Sequence, residues 1–304
     1  MTARPWSKAL ETALYGPDGF FLRSAPAAHF RTSVALPPFA HAVRRLAGLV
    51  DDALGRPDPF DLVDLGAGRG ELLLALPEVP ARWRLTGVDL APADVPLPWL
   101  TEVPRLTGLL LANEWLDDVP LDVVQDGRLV LVEPGGREVA GAASPYDEWC
   151  RRWWPGGGRV EVGLSRDLAW AAAVGHVDRG LAVAVDYGHL VGTRRPTLTG
   201  YRGGRPVPPT PDGSCDVTAH VALDSCAAAT GARLVRQRDA LSLLGTSAAL
   251  PVWRGDGPAY ARGLELASQA RELLDPAGLG GYGWLVQAVG IEDPLAAAPD
   301  LRPD

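Results

Sequence analysis

Asp61-Leu62-Val63-Asp64-Leu65-Gly66-Ala67-Gly68-Arg69, closed by Gly70 and Glu71, reads as a buried strand that runs into a glycine turn and opens a helix. Leu62, Val63 and Leu65 supply the apolar run. Gly66, Gly68 and Gly70 let the backbone turn sharply and let a ligand approach it. Asp64 falls at the strand end, where its carboxylate is expected to point at that ligand. A dinucleotide fingerprint has the form Gly-x-Gly-x-x-Gly and seats a pyrophosphate on the helix N-terminus. Here the pattern is Asp-x-Gly-x-Gly-x-Gly: the third glycine comes one residue early, and the leading acid would repel a pyrophosphate. A ligand with a cationic end fits better. S-adenosylmethionine, with a sulfonium and an α-amino group, is such a ligand, and Asp64, Gly66, Ala67, Gly68 and Gly70 are its candidate contacts. A bare βα turn and a nucleotide dehydrogenase are the alternatives.

Leu85–Asp89 reads as the next strand, with its acid nineteen residues after Gly70. A βαβ unit puts a ribose-binding carboxylate about there, so Asp89 is a second candidate. Prolines between residues 91 and 100 leave little room for the usual following helix. Thr107–Ala112 is a buried strand that stops at Asn113-Glu114. Val123–Gln125 and Leu129–Glu133 flank Asp126-Gly127 as a hairpin. Leu181–Val185 is a strand ending in Asp186, Arg233–Gln237 another, and Trp284–Val289 the last. Helical patterns cover 37–54, 72–76, 165–175 and 258–274, and Val217–Val221 leads into one that ends near Thr230.

Strands alternating with helices imply an α/β protein with a mostly parallel sheet covered on both faces. Asp64, Asp89, Glu114 and Asp186 each end a predicted strand, so they should converge at the carboxyl edge. The expected organisation is an N-terminal cover over 1–55, a core over 56–293 with insertions at about 134–178 and 189–222, and a frayed, flexible tail over 294–304. The stretch 189–215 is basic and then rich in proline and glycine, and reads as an excursion or lid.

The chain has 304 residues, 47% hydrophobic and 22% charged, which suits a globular protein with a sizeable core. A net charge of −8 argues against a nucleic-acid groove as the main surface. Lys8 is the only lysine. Cys150, Cys215 and Cys226 are odd in number and form no Cys-x-x-Cys pair, which fits a reducing compartment and no metal site. No leader-like segment or long apolar run is evident, so no membrane span is expected and the cytoplasm is the default.

Over most of its length the chain resembles the MidA-type methyltransferases, which include the mitochondrial complex I assembly methyltransferase and bacterial relatives. The resemblance rests on Tyr15-Gly16-Pro17-Asp18-Gly19-Phe20-Phe21, Phe30-Arg31-Thr32-Ser33, the glycine turn and Asn113-Glu114-Trp115-Leu116-Asp117. It returns at Asp186-Tyr187-Gly188, Asp216–Val221 and Leu274–Gly280. The chain departs from the family's pattern at His29, where an aspartate is usual, at Ala40, where a glycine is usual, and in a shortened region after Asp89. The resemblance implies a class I S-adenosylmethionine methyltransferase fold, Rossmann-like, with a seven-stranded sheet and extra N-terminal and inserted helices or loops. It also implies S-adenosyl-L-methionine as cofactor and methyl transfer to a protein arginine, in the family's case on a respiratory-complex subunit.

An arginine acceptor is protonated at neutral pH, so carboxylates are wanted to pair with the guanidinium and accept a proton. Glu114, beside Asn113, is the first candidate for a catalytic role, and Asp186 is another. Asn113 also counts among the donor contacts. Thr32 and Ser33 are expected to cover the donor's carboxylate. Asp117 and Asp118 read as solvated first-turn acids, His220 as a core histidine, and Trp149, Trp153 and Trp154 as packing. Arg194, Arg195, Arg202 and Arg205 read as an exposed basic loop. A non-catalytic assembly factor that keeps the donor site, and a small-molecule O- or N-methyltransferase, are the other functional readings. Oligomeric state is not legible.

Overall fold

The computed structural model describes residues 2–23 and 32–301; Phe30-Arg31 and the departure at His29 lie outside them. Seven strands form the main sheet: β1 (Phe60–Leu65), β2 (Trp83–Val88), β3 (Trp99–Leu100), β4 (Leu106–Asn113), β5 (Val177–Asp186), β6 (Arg233–Arg236) and β7 (Gly283–Val289). Their spatial order is β6-β7-β5-β4-β1-β2-β3. The pairings from β5 through β4, β1 and β2 to β3 are parallel. β7 runs antiparallel to both β5 and β6, so the sheet is mixed.

Successive side chains of a strand point to opposite faces, and here both faces are dry. Phe60, Leu62, Leu109, Leu111, Leu181, Val183 and Trp284 enter one core with Phe39, Val43, Leu46 and Val50 of helix α1 (Pro37–Ala53). Val63, Leu65, Leu110, Ala112, Ala182, Ala184 and Leu285 enter the other. That face is covered by Trp170 and Ala173 of helix α2 (Leu164–Val174) and by Leu223, Cys226 and Ala227 of helix α3 (Leu223–Thr230). The unbroken apolar runs legible in the chain are thus two half-sets of residues, one per core.

The insertions are more ordered than expected. The hairpin Asp122–Gln125 and Arg128–Val132, Glu138–Ala143 and Arg159–Val162 form a second sheet with Arg4–Pro5. Trp6, Leu10 and Leu14 of the helix Trp6–Tyr15 pack on it. The 189–222 excursion carries a three-stranded sheet of Arg205–Val207, Thr199–Arg202 and Asp216–Thr218. Its ends are tied where Gly188–His189 pairs with Val221–Ala222. Val217–Val221 is therefore two short strands outside the main sheet.

The tail is not frayed over 294–301. Leu295 is fully buried, Arg233 Nη2 donates to Ala298 O, and Leu301 N donates to Leu234 O at 2.7 Å. Hydrogen bonds and burial fix this segment, which composition could not reveal. No helix among the described residues is long and apolar enough to cross a membrane.

Candidate functional site

The carboxyl ends of β1, β2 and β4 open into a cleft of about 1050 Å³. Asp64, Gly66, Ala67, Gly68, Asp89, Asn113, Glu114 and Thr32 all line it. Gly66 and Gly68 have φ of 74° and 59°. A Cβ on Gly66 would stand 2.9 Å from the Trp115 ring, so both the φ and the space require glycine there. The amides of Gly66 and Ala67 donate to Val88 O, and that of Gly68 to Asp89 Oδ2 at 2.9 Å. These donors face the neighbouring strand, which leaves the turn poor in free N–H groups for an anion.

Asp64 is 4% exposed and its carboxyl has no hydrogen-bond partner among the described residues. Burial, and then the charges of Asp89 and Glu71, push its pKa up to about 8. Asp89 accepts from Gly68 N and, at 2.8 Å, from Ala91 N. Burial outweighs those bonds and raises its pKa. A buried acid without a donor is costly, and a cationic ligand in the cleft would relieve the cost.

Glu114 has φ of 49°, an uncommon value outside glycine, and its N donates to Val185 O at 2.8 Å. This backbone turns its side chain into the cleft. Oε1 accepts from Asn113 Nδ2 at 3.1 Å and from Ser33 N at 3.2 Å. Burial first, then the Asp117 charge, raises its pKa to about 7. Asn113 Oδ1 and Thr32 Oγ1 are buried without a partner among the described residues.

Three expected contacts do not reach the cleft. Gly70, with φ of 82°, precedes the helix Glu71–Ala75 and donates to Ala67 O, which makes it a turn residue. Ser33 is fully buried and accepts from Gln237 Nε2 at 3.0 Å, so its amide steadies Glu114 from behind. Asp186 is 1% exposed; its Oδ2 accepts from Leu116 N and Asp117 N, and its Oδ1 from Tyr187 N. It pins the loop after β4 and does not face the cleft.

That loop overturns another expectation. Asp117 is buried, not solvated: its Oδ2 accepts from the Tyr187 hydroxyl and, at 2.9 Å, from Thr218 Oγ1. Asp118 is partly buried beside it, and burial holds both acids above the usual carboxylate range. Arg166, 2% exposed, gives its guanidinium to the carbonyls of Asp117, Val119, Ala219 and His220. It joins the loop to the 189–222 excursion and offsets the acids. His220 lines the cleft and is no core histidine. Arg194 is not exposed: its side chain is 3% accessible and pairs with Asp224. Trp149 and Trp154 are buried packing residues, as expected, and Trp149 Nε1 donates to Asp167.

Asp216, Tyr15, Tyr187, Tyr201 and Tyr282 complete this end of the cleft, together with Arg195. Their roles were not legible. Tyr15 and Tyr187 stood in motifs that carried the resemblance without a role of their own, and nothing local marks Tyr282. No group of His, Cys, Asp or Glu among the described residues is arranged to hold a metal ion.

A family model described as "putative S-adenosyl-L-methionine-dependent methyltransferase" matches residues 82–238. Among solved structures, the chain is similar to a Burkholderia thailandensis protein crystallised with S-adenosyl-homocysteine. The two share 21% identity over 98% of this chain and 92% of that one, with a TM-score of 0.77. A native Burkholderia thailandensis structure matches with 23% identity, 98% and 91% coverage and a TM-score of 0.78. These two likenesses speak for the fold. No match was found among curated proteins.

Proposed function

The chain belongs to that S-adenosyl-L-methionine-dependent methyltransferase family, and from this premise we propose that it transfers a methyl group to a nitrogen of a protein arginine. The observation that carries the reading is Glu114: a carboxyl turned into the cleft, with a pKa of about 7, between the glycine turn and a wall of acids and tyrosines. The donor fits the chain's own residues. Asp64 offers an unpartnered carboxyl to a cationic end, and the turn's amides are already bonded to β2 and Asp89. Asp89 holds ribose hydroxyls, and Thr32 and Asn113 bring further polar atoms to the donor.

When bound, S-adenosylmethionine supplies the methyl from its sulfonium and becomes the thioether S-adenosylhomocysteine. The acceptor nitrogen would form its bond to that carbon as the S–C bond breaks, and it would have to shed a proton. Glu114 pairs with the guanidinium, turns one nitrogen toward the methyl and takes the proton on its carboxylate. Asn113 Nδ2 and Ser33 N orient that carboxylate. Asp186 acts through the backbone of Leu116 and Asp117 and is a positioning residue. A small-molecule enzyme would want a closed apolar pocket, which this acidic wall is not.

The test uses radiolabelled S-adenosylmethionine with a proteome extract, and mass spectrometry to locate the label. Label on arginine is expected, with a rate that rises with pH through about 7 as Glu114 ionises. Glu114→Gln should keep S-adenosylhomocysteine affinity and lose turnover by about 100-fold or more. Unchanged turnover would remove Glu114 from the mechanism. Label confined to other residues would remove arginine.

A further inference from the structure

The donor end of the cleft is built by the main sheet, whereas part of its far end comes from the 189–222 excursion. On Asp216–Thr218, Val217 is buried in the second-sheet core. Asp216 and Thr218, two apart, therefore share the opposite face. Thr218 Oγ1 donates to Asp117 Oδ2, so strand and loop meet here. Asp216 is 5% exposed and Asp117 7%, and both line the cleft. Asp216 Oδ1 and Asp117 Oδ1 are buried and have no partner among the described residues. Asp118 Oδ1 is in the same condition. Buried carboxylates are ordinarily paired, so unmatched acceptors lining one cleft call for a ligand that brings several N–H donors. Tyr15, Tyr187, Tyr201 and Tyr282 add rings that favour a cation. Among the described residues, Arg195 is the one arginine lining this end, against three aspartates.

We propose that Asp216, with Asp117 beside it, is a second anionic seat that holds the acceptor's cationic group by a nitrogen other than the one Glu114 presents to the methyl. Asp216 is thereby a specificity-determining residue: it favours a planar, multi-donor cation over a neutral group of the same shape. The inference rests on the arginine reading above and adds a role contributed by the excursion. The two carboxyl sites divide the work. Glu114 sits on the strand end and handles the proton. Asp216 sits on a strand of the excursion's small sheet and reads the acceptor's charge and shape.

The experiment loads the full-length protein with S-adenosylhomocysteine and titrates it with N-acetyl-arginine methylamide, then with its neutral citrulline counterpart, by NMR. The wild type is expected to prefer the arginine probe, and Asp216→Asn to weaken that probe by at least about tenfold while leaving the citrulline probe unchanged. Asp216→Glu should restore most of the preference. S-adenosylhomocysteine affinity in each variant reports an intact fold and donor site. Arginine-probe binding within about twofold of wild type in Asp216→Asn would overturn the seat alone. A wild type that does not distinguish the two probes would overturn the arginine reading, and the seat with it.

Discussion

Asp64 is held at a cost in the free protein. Its folded pKa of about 8 lies above the ordinary carboxylate value of about 3.9, so the folded state binds this proton more tightly than the unfolded chain. Its favourable contribution is complete below about pH 4 and is lost as pH rises toward about 8. Without donor, the melting temperature should therefore fall across that window. Asp64→Asn should raise it at pH 8 by several degrees, roughly 3 °C or more, and should lose donor binding. Thermal melts of both proteins at pH 5 and pH 8, with calorimetry of S-adenosylhomocysteine, check this. A variant no more stable at pH 8 than wild type would mean that Asp64 is satisfied in the free protein. The place of Asp64 at the cleft was readable because strand, acid and glycines are consecutive. The partners of Asp186 were not readable, because they include the amides of Leu116 and Asp117, about seventy residues away.

Gly108 of β4 lies between Asp61 of β1 and Gly180 of β5. Gly108 has φ of 154°, and a Cβ there would stand 1.9 Å from Asp61 O. Gly180 on β5 faces Gly108 in the same way. Gly108→Ala should separate β1 from β4 and destabilise the protein by about 3 kcal/mol or more. Urea unfolding would measure it, and a loss below about 1 kcal/mol would mean that the strand relaxes freely. The main-sheet strands other than the two-residue β3, and the long helices, were legible because their apolar runs are continuous and their stops are glycine, proline or acid. The small strands at 199–202, 205–207 and 216–218 were not. They are three or four residues long and pair only with each other, so no period can reveal them.

One cleft joins the glycine-turn end of the main sheet to an end lined by Asp117, Asp118 and Asp216, so ligand charge should register globally. A cationic donor next to Asp64 lowers that carboxyl's pKa, and at pH 7 binding should release protons. Calorimetric titrations with S-adenosylmethionine in two buffers of different ionisation enthalpy should give different apparent heats, and Asp64→Asn should abolish most of the difference. Equal heats in wild type would exclude the ionisation of Asp64 on binding. The same ligand stabilises the whole fold by mass action, about 2.7 kcal/mol at a hundred times its dissociation constant.

The α/β class, the glycine turn, the strand-end acids and the donor reading were all contained in the chain, because each depends on neighbours within a few residues. The acidic far wall of the cleft was not. Asp117, Tyr187, Asp216 and Tyr282 belong to four separate stretches of sequence. Asp117 and Asp216 look like ordinary surface acids until the Tyr187 and Thr218 hydroxyls, the buried Arg166 and the tied ends of the excursion bring them out of water. Burial and long-range pairing are properties of the folded contacts, so only the tertiary structure could turn those acids from solvated groups into a buried wall of the cleft.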